Sequence, residues 1–216
     1  MTTLELMKKR HSVRQYTGKK IEEEKRAVLD ALCKEINDET GMHFQMIYED
    51  SRCFNSFLAH YGRFTGCNDY IALVGPKDEN LDEKVGYYGE KLVMKAQELG
   101  LNTCWAALTH GKTKAEVNKG EKQAIIIALG YGATQGISHK NKDLATLAKT
   151  GADDPRWYKD GVEAALLAPT AVNQQQFYID RQGDKVTITA RKGPCFMIDL
   201  GIVKYHFEAA SGHTVE

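Results

Sequence analysis

The stretch from residue 80 to residue 100, "NLDEKVGYYGEKLVMKAQELG", most constrains how this chain can fold. Leu81, Val85, Tyr88, Leu92, Ala96 and Leu99 recur at helical spacing, and Gly100 stands where a helix end is capped. A long central helix with one apolar face is predicted. Gly86 and Gly89 lie inside it, although each glycine costs a helix about 1 kcal/mol relative to alanine. Two such penalties in one helix point to close backbone approach, either to another helix or to a flat ligand.

Strands are predicted at "HFQMIYE", "DYIALVG", "NTCWAAL" and "QAIIIALGY". The later stretch "QFYIDRQGDKVTITA" reads as a hairpin turning near Gln182–Asp184. Further helices are predicted over Thr3–Lys9, Glu22–Ile36, Lys112–Asn118, Asp143–Ala148, Tyr158–Leu167 and Met197–Ala210. Interleaved elements ending in a hairpin argue for an α+β fold, a central mixed or antiparallel sheet flanked by helices, rather than a strict βαβ repeat.

At 216 residues the chain suits one domain spanning 1–216, and no low-complexity linker divides it. Its longest glycine- and charge-rich connection runs from Gly132 to Asp143. A faint internal echo suggests a pseudo-two-fold duplication into halves of about 1–110 and 111–216. Gly89 and Gly100 bracket one helical pattern, Gly201 and Gly212 another, and 201 − 89 equals 212 − 100. Two similar helices arising independently would give the same echo.

Lys plus Arg and Asp plus Glu are each 29, so nothing in the charge favours nucleic acid or an anionic membrane as partner. The five cysteines, Cys33, Cys53, Cys67, Cys104 and Cys195, are dispersed and form no C-x-x-C pair. Neither a disulfide framework nor a zinc knuckle is expected, and the opening "MTTLELMKKRHSV" lacks the apolar region of a signal peptide. The expectation is a reduced, cytoplasmic protein with no metal site.

Several catalytic motifs fail on spacing. Gly130, Gly132 and Gly136 follow an apolar strand as G-x-G-x-x-x-G, not the dinucleotide fingerprint, and "ISHKNKD" after them is not helix-like. His206 and His213 come nearest to a helical metal pair but have no carboxylate at ligand spacing. No P-loop or G-x-S-x-G elbow is present.

Three stretches remain. In "KRHSVRQYT", Arg10, Ser12 and Arg14 alternate, so an extended backbone would put two guanidiniums and a hydroxyl on one side, a grip for a phosphate. The competing reading is the basic end of a helix. In "LLAPTAVNQQQFYI", Pro169 ends a helix, and Thr170, Asn173 and Gln175 offer hydrogen-bonding groups to a polar heterocycle or only to solvent. In "SHKNKD", Lys140 and Lys142 repeat the alternation, as part of a site or of a charged loop.

Together these stretches resemble the FMN-dependent nitroreductase family. Arg10, Ser12 and Arg14 match its N-terminal R-x-S-x-R, "LGLNTCWAAL" its strand after a long central helix, and "LGYG" with Lys140 and Lys142 its strand end and basic pair. "APTAVNQQQF" matches its A-P-S-x-x-N-x-Q-P-W, with Thr170 for Ser and Gln176 for Pro. In the family that last segment precedes the central helix, whereas here it lies in the last quarter of the chain. Such an order agrees with a divergent branch whose duplicated halves imitate a dimer, so the resemblance implies either a pseudo-dimeric monomer or a homodimer.

The resemblance places Arg10, His11, Ser12 and Arg14, with Lys140 and Lys142, at the FMN phosphate and ribityl chain. His11 and Val13 alternate with the gripping residues and are expected to turn into the fold. Pro169, Thr170 and Asn173 would border the flavin ring, and Ala107 and Leu108 would meet it through main-chain N–H groups. Trp105 would be either part of that flavin wall or, as the favoured reading, strand core. The implied reaction passes hydride from NAD(P)H through FMN to a small-molecule acceptor such as a nitroaromatic or quinone, with no catalytic acid or base named. Its rivals are a non-catalytic flavin-binding protein and another chemistry of the same fold, such as reductive dehalogenation or flavin breakdown.

Overall fold

The computed structural model describes residues 1–55 and 62–216. Its contacts gather into two compact units woven from alternating segments. One comprises Arg10–Leu81 and Leu92–Ile137, the other Met1–Lys9, Asp82–Lys91 and Ser138–Glu216.

The first of these units is built on an antiparallel sheet. Its strands are β1 (Gln45–Ile47), β2 (Asp69–Pro76), β3 (Asn102–Ala106) and β4 (Glu121–Gly130), in the order β1-β2-β4-β3. The two inner strands are those with unbroken apolar runs, and seven consecutive residues of β2 are buried. A strand covered on both faces needs apolar side chains at every position, which explains why "YIALV" and "IIIAL" do not alternate. Tyr70, Ala72, Ile126 and Ala128 join Val13, Tyr16, Phe54, Phe64 and Cys104 in one buried cluster.

Helix α1 (Thr3–Lys9) ends as its sequence predicts, and α2 (Glu23–Thr40) runs four residues beyond the predicted stop at Ile36. Gly41, left-handed at φ 69°, closes α2, and Asn37 exchanges two hydrogen bonds with the Phe44 backbone to turn the chain into β1. The predicted helix over Lys112–Asn118 is absent. The N–H groups of Lys114, Glu116 and Asn118 donate instead to Tyr70 Oη, Gln45 Oε1 and Glu121 Oε2, at 2.9, 2.9 and 2.8 Å. Alternate N–H groups taken up in this way hold the segment extended, and a seven-residue helix could not have offset its own unpaired end groups.

The other unit centres on the hairpin of β5 (Phe177–Gln182) and β6 (Lys185–Ala190), which turns at Gly183 where the sequence predicts it. The hairpin packs through β5 on the single turn α4 (Leu144–Leu147), capped by the Asp143 side chain, and through β6 on α6 (Phe196–Ser211), against which α5 (Arg156–Leu166) also packs. The long helix α3 (Leu81–Glu98) forms as predicted. Its first half crosses α6 at a pair of glycines. A Cβ on Gly86 would lie 2.0 Å from the Ile198 carbonyl oxygen, and one on Gly201 would lie 2.0 Å from that of Glu83. Each glycine thus rests on the carbonyl three residues before the other, a reciprocal, locally two-fold crossing. Gly201 thus packs against Gly86, three residues before the Gly89 that the echo matched to it in sequence.

Candidate functional site

The segment after α1 is extended, not helical. Ser12 bridges Thr103 of β3 in parallel, Val13 N donates to Thr103 O at 3.0 Å, and Tyr16 N to Thr65 O at 2.8 Å. Val13 enters the core as expected, and the alternate residues converge elsewhere. The Ser12 hydroxyl and the guanidiniums of Arg10 and Arg14 all act on the buried thiol of Cys104. Burial pushes that thiol's pKa up, against the pull of Arg14, Ser12 and Arg10, so it stays neutral and does not itself neutralise the guanidiniums. Arg10 is only 4% exposed, whereas Arg14 is solvent-accessible. The grip therefore has one end anchored in protein and one end open.

Around this segment the chain turns tightly. His11 is half-buried, and a Cβ on Gly136 (φ 71°) would come within 2.7 Å of its own Cβ, so it packs on the connection from residue 132 to 137. The Asn102 side chain, hidden at the start of β3, accepts from Gly132 N at 2.9 Å and donates to Gln135 at 3.2 Å. The glycine cluster is thus a folded-back corner tied to Asn102, which accounts for its failure as a dinucleotide fingerprint. Strand β3 stops at Ala106, leaving Ala107 and Leu108 in a bend, with Leu108 83% exposed. Trp105, expected as core, is half-buried and lies outside the buried cluster.

In the other unit the remaining candidates form one hydrogen-bonded assembly. After α5 and Pro169, the turn Thr170–Gln175 carries three left-handed residues without glycine: Val172 (φ 47°), Asn173 (φ 55°) and Gln175 (φ 42°). For a β-branched residue this conformation is an outlier, and Val172 is 90% exposed, with no packing to justify it. Neighbouring side chains hold the turn. Asn173 Nδ2 donates to Lys140 O at 2.8 Å, and Gln175 N donates to Thr170 Oγ1 at 3.0 Å. The buried Gln175 amide accepts from Lys142 N at 2.7 Å and donates to Asn141 Oδ1 at 2.9 Å. The structure thus brings Lys140 and Lys142 together with Thr170 and Asn173. Among the described residues, Arg14, Lys140 and Lys142 form no ion pair.

Asp199, in the first turn of α6, clamps the turn from its other side. Its carboxylate accepts from Ala171 N at 3.0 and 3.1 Å and from Gln174 Nε2 at 2.7 Å. Burial raises its pKa from 3.8 to about 6, with those two donors pulling the other way. The folded chain therefore binds an extra proton between about pH 4 and 6, and stability falls as pH rises through that window and is level above it. The term amounts to about 3 kcal/mol at 1.36 kcal/mol per pH unit. Against wild type, Asp199→Asn should gain up to that amount between pH 4 and 7 in urea unfolding, above a constant offset from facing Gln174 with an amide. Parallel stability curves for the two proteins would remove this assignment.

Sequence reasoning read Gln175 as a hydrogen-bonding group for a heterocycle or for solvent, whereas its amide is buried on the segment of Lys140 and Lys142, and it missed Asn102 and Asp199. For Gln175 a signal existed: Phe177 and Ile179 are the buried positions of β5, and counting back by two selects Gln175. No group of three metal-ligating side chains is found among the described residues, and none of their helices is long and apolar enough to cross a membrane.

Residues 2–211 match the model of the family described as "Putative TM nitroreductase". A Thermotoga maritima structure described as a "putative nitroreductase" superposes with a TM-score of 0.71 at 22% identity, covering 97% of this chain and 83% of that one. A Desulfovibrio desulfuricans structure described as a "putative nitroreductase in complex with fmn" gives a TM-score of 0.52 at 20% identity, over 71% of this chain and 96% of that one. An FMN-dependent nitroreductase of Clostridium difficile gives 0.51 at 17% identity, over 69% and 98%. No curated protein matches the chain.

Proposed function

The chain belongs to this nitroreductase family, and from that premise we propose that it is an FMN-dependent oxidoreductase carrying hydride from NAD(P)H to a nitroaromatic, quinone or similar acceptor. The observation that carries the reading is the donor set. In a chain with no net charge, Arg14, Lys140 and Lys142 form no ion pair among the described residues, and Arg10 and Ser12 flank Arg14 beside a neutral thiol. That chemistry fits a phosphate monoester, and two relatives described as binding or depending on FMN support the choice of flavin.

The chemistry that FMN supplies when bound is two-electron transfer, hydride in from NAD(P)H and out to the acceptor. The protein's part is binding and orientation. Arg10, Ser12 and Arg14 are its candidate phosphate donors, and Lys140 and Lys142 are candidates of the same kind. Pro169, Thr170 and Asn173 border the ring, on a turn stiff enough to keep one shape. Ala107 and Leu108 present main-chain N–H groups from their bend. His11 serves the same segment by packing against Gly136. The reciprocal glycine crossing supports the accompanying proposal of duplicated halves and a pseudo-dimeric monomer, with a homodimer as the alternative that mass in solution distinguishes.

The test is the absorbance spectrum of the protein supplied with FMN, before and after anaerobic NADH or NADPH. Bound flavin should bleach on reduction and recover its colour with a quinone. Arg14→Ala should weaken FMN binding at least about tenfold, the loss of one charge-assisted hydrogen bond of about 1.5–3 kcal/mol. Failure of the wild-type protein to retain FMN overturns the function, and unchanged affinity in Arg14→Ala overturns the phosphate assignment.

A further inference from the structure

Gln175 is only 1% exposed, yet both ends of its side-chain amide reach the segment that carries the basic pair. With Asn173 it takes up the carbonyl of Lys140 and the N–H of Lys142. In an extended chain the C=O of one residue and the N–H two residues on point to the same side, and the side chains of those two residues share a face. The side-chain amides therefore do what a neighbouring strand would do, and set a two-residue repeat on a segment that has no strand partner among the described residues. The Asn141 side chain, between the lysines, turns towards Gln175. Lys140 and Lys142 are left solvent-accessible, with no ion pair among the described residues.

We propose that Gln175 is a positioning residue that holds Lys140 and Lys142 in register to act together on the phosphate of the bound flavin. The inference rests on the FMN reading. It adds a residue that touches no ligand and yet controls how strongly the phosphate counts in binding. Without the Gln175 amide, Lys142 N–H loses its acceptor, the repeat is released, and the ammoniums spread over many positions with little joint effect.

The test compares equilibrium binding of FMN and of riboflavin, which lacks the phosphate, followed by flavin fluorescence. Wild type should prefer FMN. Gln175→Met, close in shape but without the amide, should weaken FMN binding at least about tenfold while riboflavin stays within about twofold, so that the preference collapses. Gln175→Asn, which keeps the amide but is one methylene too short to span the gap, should behave likewise and serves if the Met variant does not fold. Val186→Ala, a buried hairpin substitution that lowers stability away from both loops, should retain the preference and separates positioning from general loosening. A preference for FMN that survives in a folded Gln175 variant overturns the positioning role and leaves the flavin reading intact. A wild-type protein that binds FMN and riboflavin equally overturns both.

Discussion

Gly201→Ala should lower the stability of the folded chain by about 3 kcal/mol, the upper end of ordinary overpacking costs. At an exposed helical site the same substitution would stabilise by about 1 kcal/mol, because alanine restricts the unfolded chain and favours helix. The sign reverses here because the added carbon would lie 2.0 Å from the Glu83 carbonyl oxygen and 2.7 Å from Tyr87 N, both backbone atoms of α3. A side chain could turn aside, but helix backbone cannot, so α3 and α6 must separate and their contact loosens along its length. Gly86→Ala should act equally, since its Cβ would meet the Ile198 carbonyl at the same 2.0 Å. For a chain of this size the loss corresponds to a fall in melting temperature of about 6–12 °C. Gly212→Ala is the contrast: its φ of 71° strains an alanine, but nothing lies within 4 Å, so only about 1 kcal/mol is expected. Equal melting temperatures for Gly201→Ala and Gly212→Ala would show that the crossing is not as close as described.

Glu90→Ala should cost about 3–5 kcal/mol, the usual result of removing one partner from a buried ionisable pair. Glu90 and His206 are both fully buried, with His206 Nε2 2.9 Å from Glu90 Oε1 and Nδ1 3.0 Å from the Ala164 carbonyl. A carbonyl only accepts, so Nδ1 carries a proton and the ring orientation is set by α5. Nε2 then has Glu90 of α3 as its one hydrogen-bond partner shown. The pair therefore pins α3 and α5 to α6 through one imidazole. Glu90→Gln keeps an oxygen at the same reach and should lose only about 1–2 kcal/mol, as for a weakened hydrogen bond. Chemical denaturation of the three proteins decides it: if the Gln and Ala variants unfold alike, the oxygen that Gln retains contributes nothing and the hydrogen-bonding role of Glu90 is overturned.

Much of this architecture was legible in residue order. The unbroken apolar runs of β2 and β4, the hairpin turn at Gly183 and the alternation of Arg10, Ser12 and Arg14 each rest on local periodicity. The predicted helix at Lys112–Asn118 failed because its N–H groups find acceptors on Tyr70, Gln45 and Glu121, partners that lie far off in sequence or beyond the segment. Gly86 and not Gly89 meets Gly201 because the choice depends on how two helices cross. The partners of Gln175, and Asp199 altogether, escaped notice for the same reason: their roles are defined by the loop each one holds.

Sequence alone therefore determined most of the elements and the kinds of donor this chain can offer, because side-chain period and charge are properties of neighbouring residues. Tertiary structure alone decided which donors are anchored and which stay open. It buried Arg10 beside Cys104, left Arg14 accessible, and joined Lys140 and Lys142 to the Thr170–Gln175 turn through one buried amide. Burial and hydrogen-bond pairing between distant residues exist only once the chain has folded.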